Sequence, residues 1–155
     1  MNKVIMRQAI RLAMENVDKG YGGPFACIVV KEGNIIAEGT NRVLQLNDPT
    51  AHAEIVAIRN ACSNLQTFQL TGCEIYSSCE PCPMCLGALY WTRPDAIYFG
   101  TGREDAAKIG FDDQFIYEEI VRPFALRKIP TQQMLRDEAM KAFDHWIGHP
   151  NHKPY

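Results

Sequence analysis

Three cysteines follow one another at intervals of three in the segment 79–85, as C-x-x-C-x-x-C. Ferredoxin-type iron–sulfur runs begin in this way, but they need a fourth cysteine after three further residues and then a proline. Leu89 and Tyr90 stand at those two positions. The spacing therefore disfavours an iron–sulfur cluster and leaves a zinc site that uses two of the three thiols.

Cys82 and Cys85 lie at positions i and i+3 in the first turn of a predicted helix, where their thiols share one face. The N-terminus of a helix lowers the pKa of a thiol and so favours the thiolate that binds metal. Cys79 precedes Pro81 at the end of a predicted strand, and we assign it a structural role. His52, at another predicted helix start, is the third ligand that we expect.

Three protein ligands leave one zinc coordination position for water, which is typical of a catalytic rather than a structural site. Two thiolates neutralise the charge of the ion, so that the metal is a milder Lewis acid and would benefit from a base beside the water. Glu54 is the candidate for that base. Because residues two apart on a helix point roughly 200° apart, His52 and Glu54 converge only if the helix end departs from ideal geometry or approaches the zinc obliquely.

The helices and strands that must position these residues alternate along the chain after an opening hairpin. Apolar periodicity and capping signals predict helices over 3–19, from 48–50 onward, and over 81–91, 114–120 and 137–146. Alternating or continuous apolar runs predict strands over 25–30, 35–39, 73–77, 96–100 and 128–134, the last with a proline inside it. This order predicts an α/β protein with helices on both faces of a sheet, a three-layer α/β/α sandwich.

The composition is that of an ordinary globular chain. Its 155 residues predict one domain over 1–155, with 148–155 as an irregular tail. Hydrophobic residues make up 46% and charged residues 22%, which excludes collagen-like, coiled-coil and disordered classes. The longest clean apolar run, residues 25–30, is too short to span a bilayer, and the start of the chain does not predict a signal peptide. We therefore expect a cytoplasmic protein whose six cysteines are not needed as disulfides.

Two groups of segments carry a resemblance to known deaminases. His52 and Glu54, followed by Pro81, Cys82 and Cys85, form the H-x-E…P-C-x-x-C signature of zinc-dependent base deaminases. The chain resembles the cytidine deaminase-like superfamily over nearly its whole length, through residues 22–25, 41, 47–54 and 78–88. Within that superfamily it is similar to the small bacterial guanine deaminases, through residues 90–94, 110–120 and 155.

The resemblance implies a mixed five-stranded sheet between helices and a homodimer in which the tail 148–155 is exchanged between subunits. It also implies one zinc ion per chain, held by His52, Cys82 and Cys85. The implied reaction is the hydrolysis of guanine to xanthine and ammonia, in which zinc-bound hydroxide attacks and Glu54 acts as the proton shuttle.

Further residue roles rest on the same resemblance. Asn41 is expected to bind the edge of the purine, and Asp113 to recognise the base and help proton transfer to the leaving amine. The remaining substrate-binding residues implied by the resemblance are Phe25, Ala53, Trp91 and Tyr155. Judged by residue type alone, Asp112 and Asp113 would be a helix-capping pair before Gln114.

Three alternative functions remain open on the sequence. A tRNA adenosine deaminase would need basic residues that neutralise the RNA backbone, and 16 Lys and Arg against 18 Asp and Glu, a net charge of −2, make nucleic acid an improbable partner. Cytosine or another small aminated heterocycle is the next alternative substrate. A non-enzymatic zinc-binding module would need a fourth ligand, for which Cys79 is the nearby candidate.

Overall fold

The computed structural model describes residues 1–154, and Tyr155 lies outside the described residues. None of the helices in that described range is long and apolar enough to cross a membrane. Along the chain the elements are α1 Lys3–Asp18, β1 Ala26–Lys31, β2 Asn34–Thr40, α2 Val43–Leu46, α3 Ala53–Leu65, β3 Cys73–Cys79, α4 Pro83–Thr92, β4 Ala96–Thr101, α5 Arg103–Lys108, α6 Gln114–Val121, a 3₁₀ turn Phe124–Leu126, and α7 Arg136–Gly148.

The chain divides into two compact units, Met1–Tyr117 and the part from Glu118 onward. All four strands belong to the first unit. In the second unit the guanidinium of Arg127 donates to the carbonyls of Ile120 and Arg122 and lies 4.6 Å from the ring centre of Phe124. The expectation of one deaminase domain over 1–155 stays a prediction.

The four strands form one mixed sheet in the order β2-β1-β3-β4. Strand β1 runs antiparallel to both of its neighbours, whereas β3 and β4 are parallel. The hairpin between β1 and β2 turns at Glu32 and Gly33, which have φ values of 51° and 79°. Positive φ at both central residues is the geometry that two-residue hairpins need, so this turn explains how the first two strands pair.

The two faces of the sheet follow the period-2 alternation of the strands. Cys27, Val29 and Ile75 belong to a core cluster that also contains α3 residues and Leu89 of α4. The residues between them, including Ile28, Val30 and Tyr76, pack against Ile5 and Ala9 of α1. The predicted three-layer α/β/α arrangement is therefore confirmed.

Helix α3 approaches strand β2 very closely at Gly39. A Cβ atom at this position would overlap the backbone of Ala53 and Ala57. Any other residue would therefore push the start of α3 away from the sheet. Gly39 thus holds the N-terminal turn of α3, which carries Glu54, against the sheet.

The prediction of a fifth strand over 128–134 is wrong, since the sheet in residues 1–154 has four strands. The segment from Pro123 to Leu135 contains only a 3₁₀ turn as regular structure. Pro130 has no N–H to offer a sheet partner, which is consistent with this outcome. The short helices α2 and α5 were not predicted, because four and six residues are too few to show a periodic pattern.

Candidate active site

A cavity of about 460 Å³ opens in the first unit where α3 and α4 begin. This volume lies in the range of roughly 300–1,000 Å³ that small-molecule sites occupy. Its lining combines apolar side chains with a few polar and ionisable groups: Gly23, Phe25, Asn41, Val43, Leu44, Pro49, His52, Ala53, Glu54, Cys79, Glu80, Cys82, Ala106, Phe111 and Asp113.

His52 is the N-cap residue of α3, not a residue inside the helix. Its backbone is extended, with φ −67° and ψ 158°, and Glu54 lies in the first helical turn. The helical angle between residues two apart therefore does not apply to this pair. The departure from ideal geometry that the sequence required is a helix that begins at Ala53, one residue after the ligand.

Cys82 occupies the same position in α4 that His52 occupies in α3. It is the N-cap, with φ −65° and ψ 169°, and Cys85 lies in the first turn. His52 Nδ1 lies 3.6 Å from the sulfur atoms of both Cys82 and Cys85. One donor atom from each of the three residues lies within 4.8 Å of the others. An imidazole and two thiols clustered in this way are a donor set that suits zinc.

The electrostatics of the three donors fit a cation. The hydrogen bond from Cys85 and the contact with His52 lower the pKa of the Cys82 thiol to about 4, against the effect of burial. The same hydrogen bond, together with burial, raises the pKa of the Cys85 thiol. The hydrogen bond with Cys82 raises the pKa of His52. One thiolate therefore forms readily, and a second negative charge beside it needs a positive ion.

Glu54 lies beside this cluster, only 6% exposed. Burial raises the pKa of its carboxyl group, and a hydrogen bond from the Ser77 hydroxyl opposes that shift. Ser77 Oγ donates to Glu54 Oε1 over 2.8 Å. The sequence analysis did not identify Ser77. The signal lay in the strand alternation, because Ser77 is in phase with Ile75, whose side chain packs in the core beneath α3.

The neighbouring residues Asp112 and Asp113 make different contacts. Asp112 Oδ1 accepts a hydrogen bond from the backbone N–H of Gln114 over 3.1 Å, an Asx-turn contact immediately before the helix. Asp113 instead lines the cavity. Burial, and then the negative charge of Cys82, raise the pKa of the Asp113 carboxyl group. The structure thus brings Asp113 to the same cavity as Glu54 and two of the metal donors, His52 and Cys82.

Asn41 and two aromatic rings also line the cavity. Asn41 is 5% exposed, and its Oδ1 accepts from the Val43 N–H over 3.2 Å, so that its NH₂ group is the part left for a ligand. The rings of Phe25 and Phe111 meet edge to face, with centroids 4.9 Å apart. Ala53, fully buried, also contributes to the lining.

Two of the expected substrate residues are not placed in the cavity. Trp91 lies in the last turn of α4, is 64% exposed, and is absent from the cavity lining formed by residues 1–154. Tyr155 lies outside the described residues. The roles of both residues in substrate binding stay predictions.

Glu80, Arg103 and Tyr117 support the turn that carries Cys82, and the sequence analysis missed this support. The Glu80 carboxylate accepts from the Arg103 N–H over 3.0 Å and pairs with its guanidinium at 3.2 Å. That guanidinium lies 4.6 Å from the ring centre of Tyr117, whose hydroxyl donates to the carbonyl of Pro81. These contacts link α5 and α6 to the residue that precedes the ligand.

Cys79 does not join the metal donors within the described part of the chain. Cys79 is the last residue of β3, and its buried thiol lies 3.9 Å from the carbonyl oxygen of Gly102. The three-donor group therefore lacks the fourth protein ligand that a closed structural zinc site would need. This arrangement argues against the non-enzymatic zinc-binding module.

Comparison with known proteins gives both full-length and partial matches. Residues 1–101 match the cytidine and deoxycytidylate deaminase zinc-binding region. The guanine deaminase of Bacillus subtilis is 50% identical over 154 residues, which are 99% of each chain. Its X-ray structure superposes with a TM-score of 0.97, at 51% identity, over 100% of this chain and 99% of that one. A tRNA-specific adenosine deaminase of Aquifex aeolicus is 46% identical over 94 residues, 61% of this chain and 62% of that protein.

We expect the purified protein to bind about one zinc ion per chain through His52, Cys82 and Cys85. Cys82→Ser and Cys85→Ser should each lose most of this zinc, because a neutral hydroxyl replaces a thiolate. Metal analysis after dialysis measures the stoichiometry. The cobalt-substituted protein should show the thiolate charge-transfer bands of a two-sulfur site.

Cys79→Ser is the matched control, since it removes a neighbouring buried thiol that lies outside the donor group. It should keep the full zinc content and the same cobalt spectrum. Loss of zinc from this variant, or a four-thiolate cobalt spectrum in the wild type, would contradict the assignment of ligands.

Proposed function

Because the chain belongs to the cytidine and deoxycytidylate deaminase family, we propose that it catalyses the zinc-dependent hydrolytic deamination of guanine to xanthine and ammonia. The observation that carries this function is that His52, Cys82, Glu54 and Asp113 line one cavity in the first unit, with the third zinc donor, Cys85, clustered with His52 and Cys82. The donors suit a catalytic metal, and the two carboxyl groups supply the proton transfers.

His52, Cys82 and Cys85 would hold the zinc ion. When bound there, zinc supplies Lewis acidity that makes a water molecule a better nucleophile at neutral pH. These ligands lie at the starts of two helices of the first unit, so that their side chains converge on one point. Cys85 is buried and the His52 ring is half-buried, so that water has limited access to these two ligands.

Glu54 is proposed as the proton shuttle. Its burial raises the pKa of the carboxyl group, which makes the carboxylate a stronger base toward the proton of the attacking water. The carboxylate takes a proton from the attacking water and delivers it to a ring nitrogen of the base. Ser77 holds one carboxylate oxygen by its 2.8 Å hydrogen bond and so helps to fix the orientation of the carboxylate.

The reaction balances with one water molecule. A bond forms between the water oxygen and C2 of guanine, and the bond between C2 and the exocyclic nitrogen breaks. One proton of the water passes through Glu54 to the ring, and the other proton of the same water reaches the amine, which leaves as ammonia while the carbonyl bond at C2 forms. Asp113, lining the same cavity, is proposed to assist this last transfer, because the amide anion itself would be a poor leaving group.

Asp113 and Asn41 are proposed to recognise the base. Guanine presents N1–H and its 2-amino group as donors, which complement a carboxylate acceptor such as Asp113. The NH₂ group of Asn41 can donate to an acceptor of the purine edge, since its amide oxygen already receives the Val43 N–H. Phe25 and Phe111 supply apolar surface for the flat ring.

A purine base is favoured over adenosine in tRNA by two observations. The similarity to a guanine deaminase covers the whole chain, whereas the tRNA-specific relative matches 94 residues. The net charge of −2 also provides no excess of basic residues for an RNA backbone. Cytosine and other small aminated heterocycles are tested by the substrate panel below.

The assembly and location of the protein belong to the same proposal. We infer a homodimer in which residues 148–155 reach the partner's active site and Tyr155 closes it, on the basis of the resemblance described above. A cytoplasmic location is supported by the state of the six cysteines, all of which are free thiols, as a reducing compartment would keep them.

Glu54→Gln should keep the zinc ion and lose nearly all turnover, by a factor of about 10²–10⁴, because the amide cannot accept the proton of the water. Steady-state ammonia release from guanine measures kcat, and metal analysis confirms the zinc content. Glu104→Gln, an exposed glutamate in the first turn of α5, is the matched control and should retain full activity. Unchanged kcat in Glu54→Gln would refute the shuttle.

Guanine should be the preferred substrate in an ammonia-release panel. The panel contains guanine, adenine, cytosine, cytidine and a tRNA stem-loop, and kcat/KM is compared across its members. Asp113→Asn should reduce kcat/KM for guanine by about tenfold or more, because the carboxylate acceptor of the two guanine donors is lost. A preference of the wild type for any other member would overturn the choice of substrate.

Truncation after Gly148 should reduce activity more than it reduces the midpoint of thermal unfolding, if the tail completes a partner's site. Tyr155→Ala should reproduce most of the loss without changing the oligomeric state, which gel filtration with light scattering measures. Full activity in the truncated protein would contradict the exchange of the tail.

A further inference from the structure

Asn16 is a buried polar residue of α1 that the catalytic scheme above does not use. Its exposed fraction is 2%, although the opposite face of the same helix is open to solvent. Its Nδ2 group donates two hydrogen bonds of 3.0 Å, one to the carbonyl of Gly23 and one to the carbonyl of Asn41. A buried amide that bridges two carbonyls 18 residues apart in sequence joins two segments of backbone.

Both of those segments form the wall of the cavity. Gly23 and Phe25 line it from the segment before β1, and Asn41 lines it from the end of β2. The two segments also contact each other directly, since the Asn41 N–H donates to the carbonyl of Phe25 over 3.0 Å. Asn16 therefore lies behind this wall and holds its two halves together.

The hydrogen-bond inventory of Asn16 shows which of its atoms matter. Both donor hydrogens can be assigned to the wall, whereas Oδ1 has no hydrogen-bond partner among residues 1–154. A buried acceptor without a partner is unfavourable. The amide is thus held at this position by what it donates, and a side chain without donors cannot replace it.

The wall has little freedom to adjust by itself. A Cβ atom on Gly22 would overlap the side-chain oxygen and the backbone carbonyl of Asn41, and one on Gly23 would lie 2.9 Å from the ring of Phe111. The backbone at residues 22 and 23 therefore packs directly against the purine-binding amide and the aromatic pair. A shift of this segment would displace Asn41 and Phe25 at once.

We propose that Asn16 is a positioning residue for purine binding, which fixes the Asn41 amide and the Phe25 ring by holding the carbonyls of Gly23 and Asn41 from behind. This inference rests on the proposed function of the same cavity. The metal donors and Glu54 lie at the starts of α3 and α4, neither of which contacts the Asn16 amide through the hydrogen bonds above. Asn16 should therefore govern the binding of the base more than the chemical step.

The test compares Asn16→Leu, which removes both donors at similar volume, with Asn16→Ser, which keeps one donor. The matched control is Asn64→Leu, because Asn64 Nδ2 donates to the carbonyl of Ile36 on β2, away from the cavity. In Asn16→Leu, KM for guanine should rise by about fivefold to tenfold while kcat stays within about twofold. Asn16→Ser should lie between this variant and the wild type, and Asn64→Leu should leave KM unchanged.

Hydrogen exchange supplies a second readout that needs no substrate. Peptides covering residues 22–26 and 40–44 should exchange about tenfold faster in Asn16→Leu than in the wild type, while peptides from β1 and β3 keep their protection. Should Asn16→Leu fail to fold, the same two measurements on Asn16→Ser decide the question. In Asn64→Leu the peptides of the cavity wall should exchange as in the wild type.

A lowered unfolding midpoint with unchanged KM and unchanged exchange of the two peptides would overturn the inference, because Asn16 would then only stabilise the fold. A loss of kcat at constant KM would overturn it as well. If the wild type releases no ammonia from guanine, the proposed substrate fails, and the exchange of residues 22–26 and 40–44 alone decides whether Asn16 holds the wall.

Discussion

The structure depends on the compensation of negative charge where two thiol groups and one carboxyl group are buried close together. Cys82 and Glu54 line the cavity, and Cys85 is clustered with Cys82. All three residues are less than a tenth exposed. Ionised groups of like sign repel strongly where water is excluded. Two helix N-termini and the imidazole of His52 offset part of that charge, and a bound dication would offset the rest. The donor cluster is therefore both the reactive centre and a requirement of the packing.

The fold meets this requirement because two helices on one side of the sheet begin at the same place. Strand β3 ends at Cys79 and leads within a few residues into α4. Helix α3 reaches the same point because Gly39 allows its first turn to rest on β2. The alternation of β3 then aims Ser77 at Glu54, so the sheet itself orients the carboxylate.

Periodicity and spacing could predict the three layers, most of the elements and the three metal donors. They could not predict that His52 and Cys82 are N-caps with extended backbones, since the last residue before a helix is a matter of local dihedral angles. The fifth strand failed because apolar residues around Pro130 resemble a strand without being able to pair as one. The strand alternation could show which face of β3 Ser77 occupies, but neither its hydrogen bond to Glu54 nor those of Asn16 could be predicted, because a hydrogen bond between distant segments leaves no periodic signal.

The cavity is lined by two parts of the chain, one within residues 1–101 and one that follows them. The donors and Glu54 lie on regular elements within residues 1–101, the part that matches the family's zinc-binding region. Asp113 and Phe111 follow that region in the chain, after α5, and also line the cavity. The residues proposed to recognise the base come from both parts, because Asn41 and Phe25 precede residue 101 and Asp113 follows it. A change in the residues after 101 can therefore alter which base is bound without altering the metal donors.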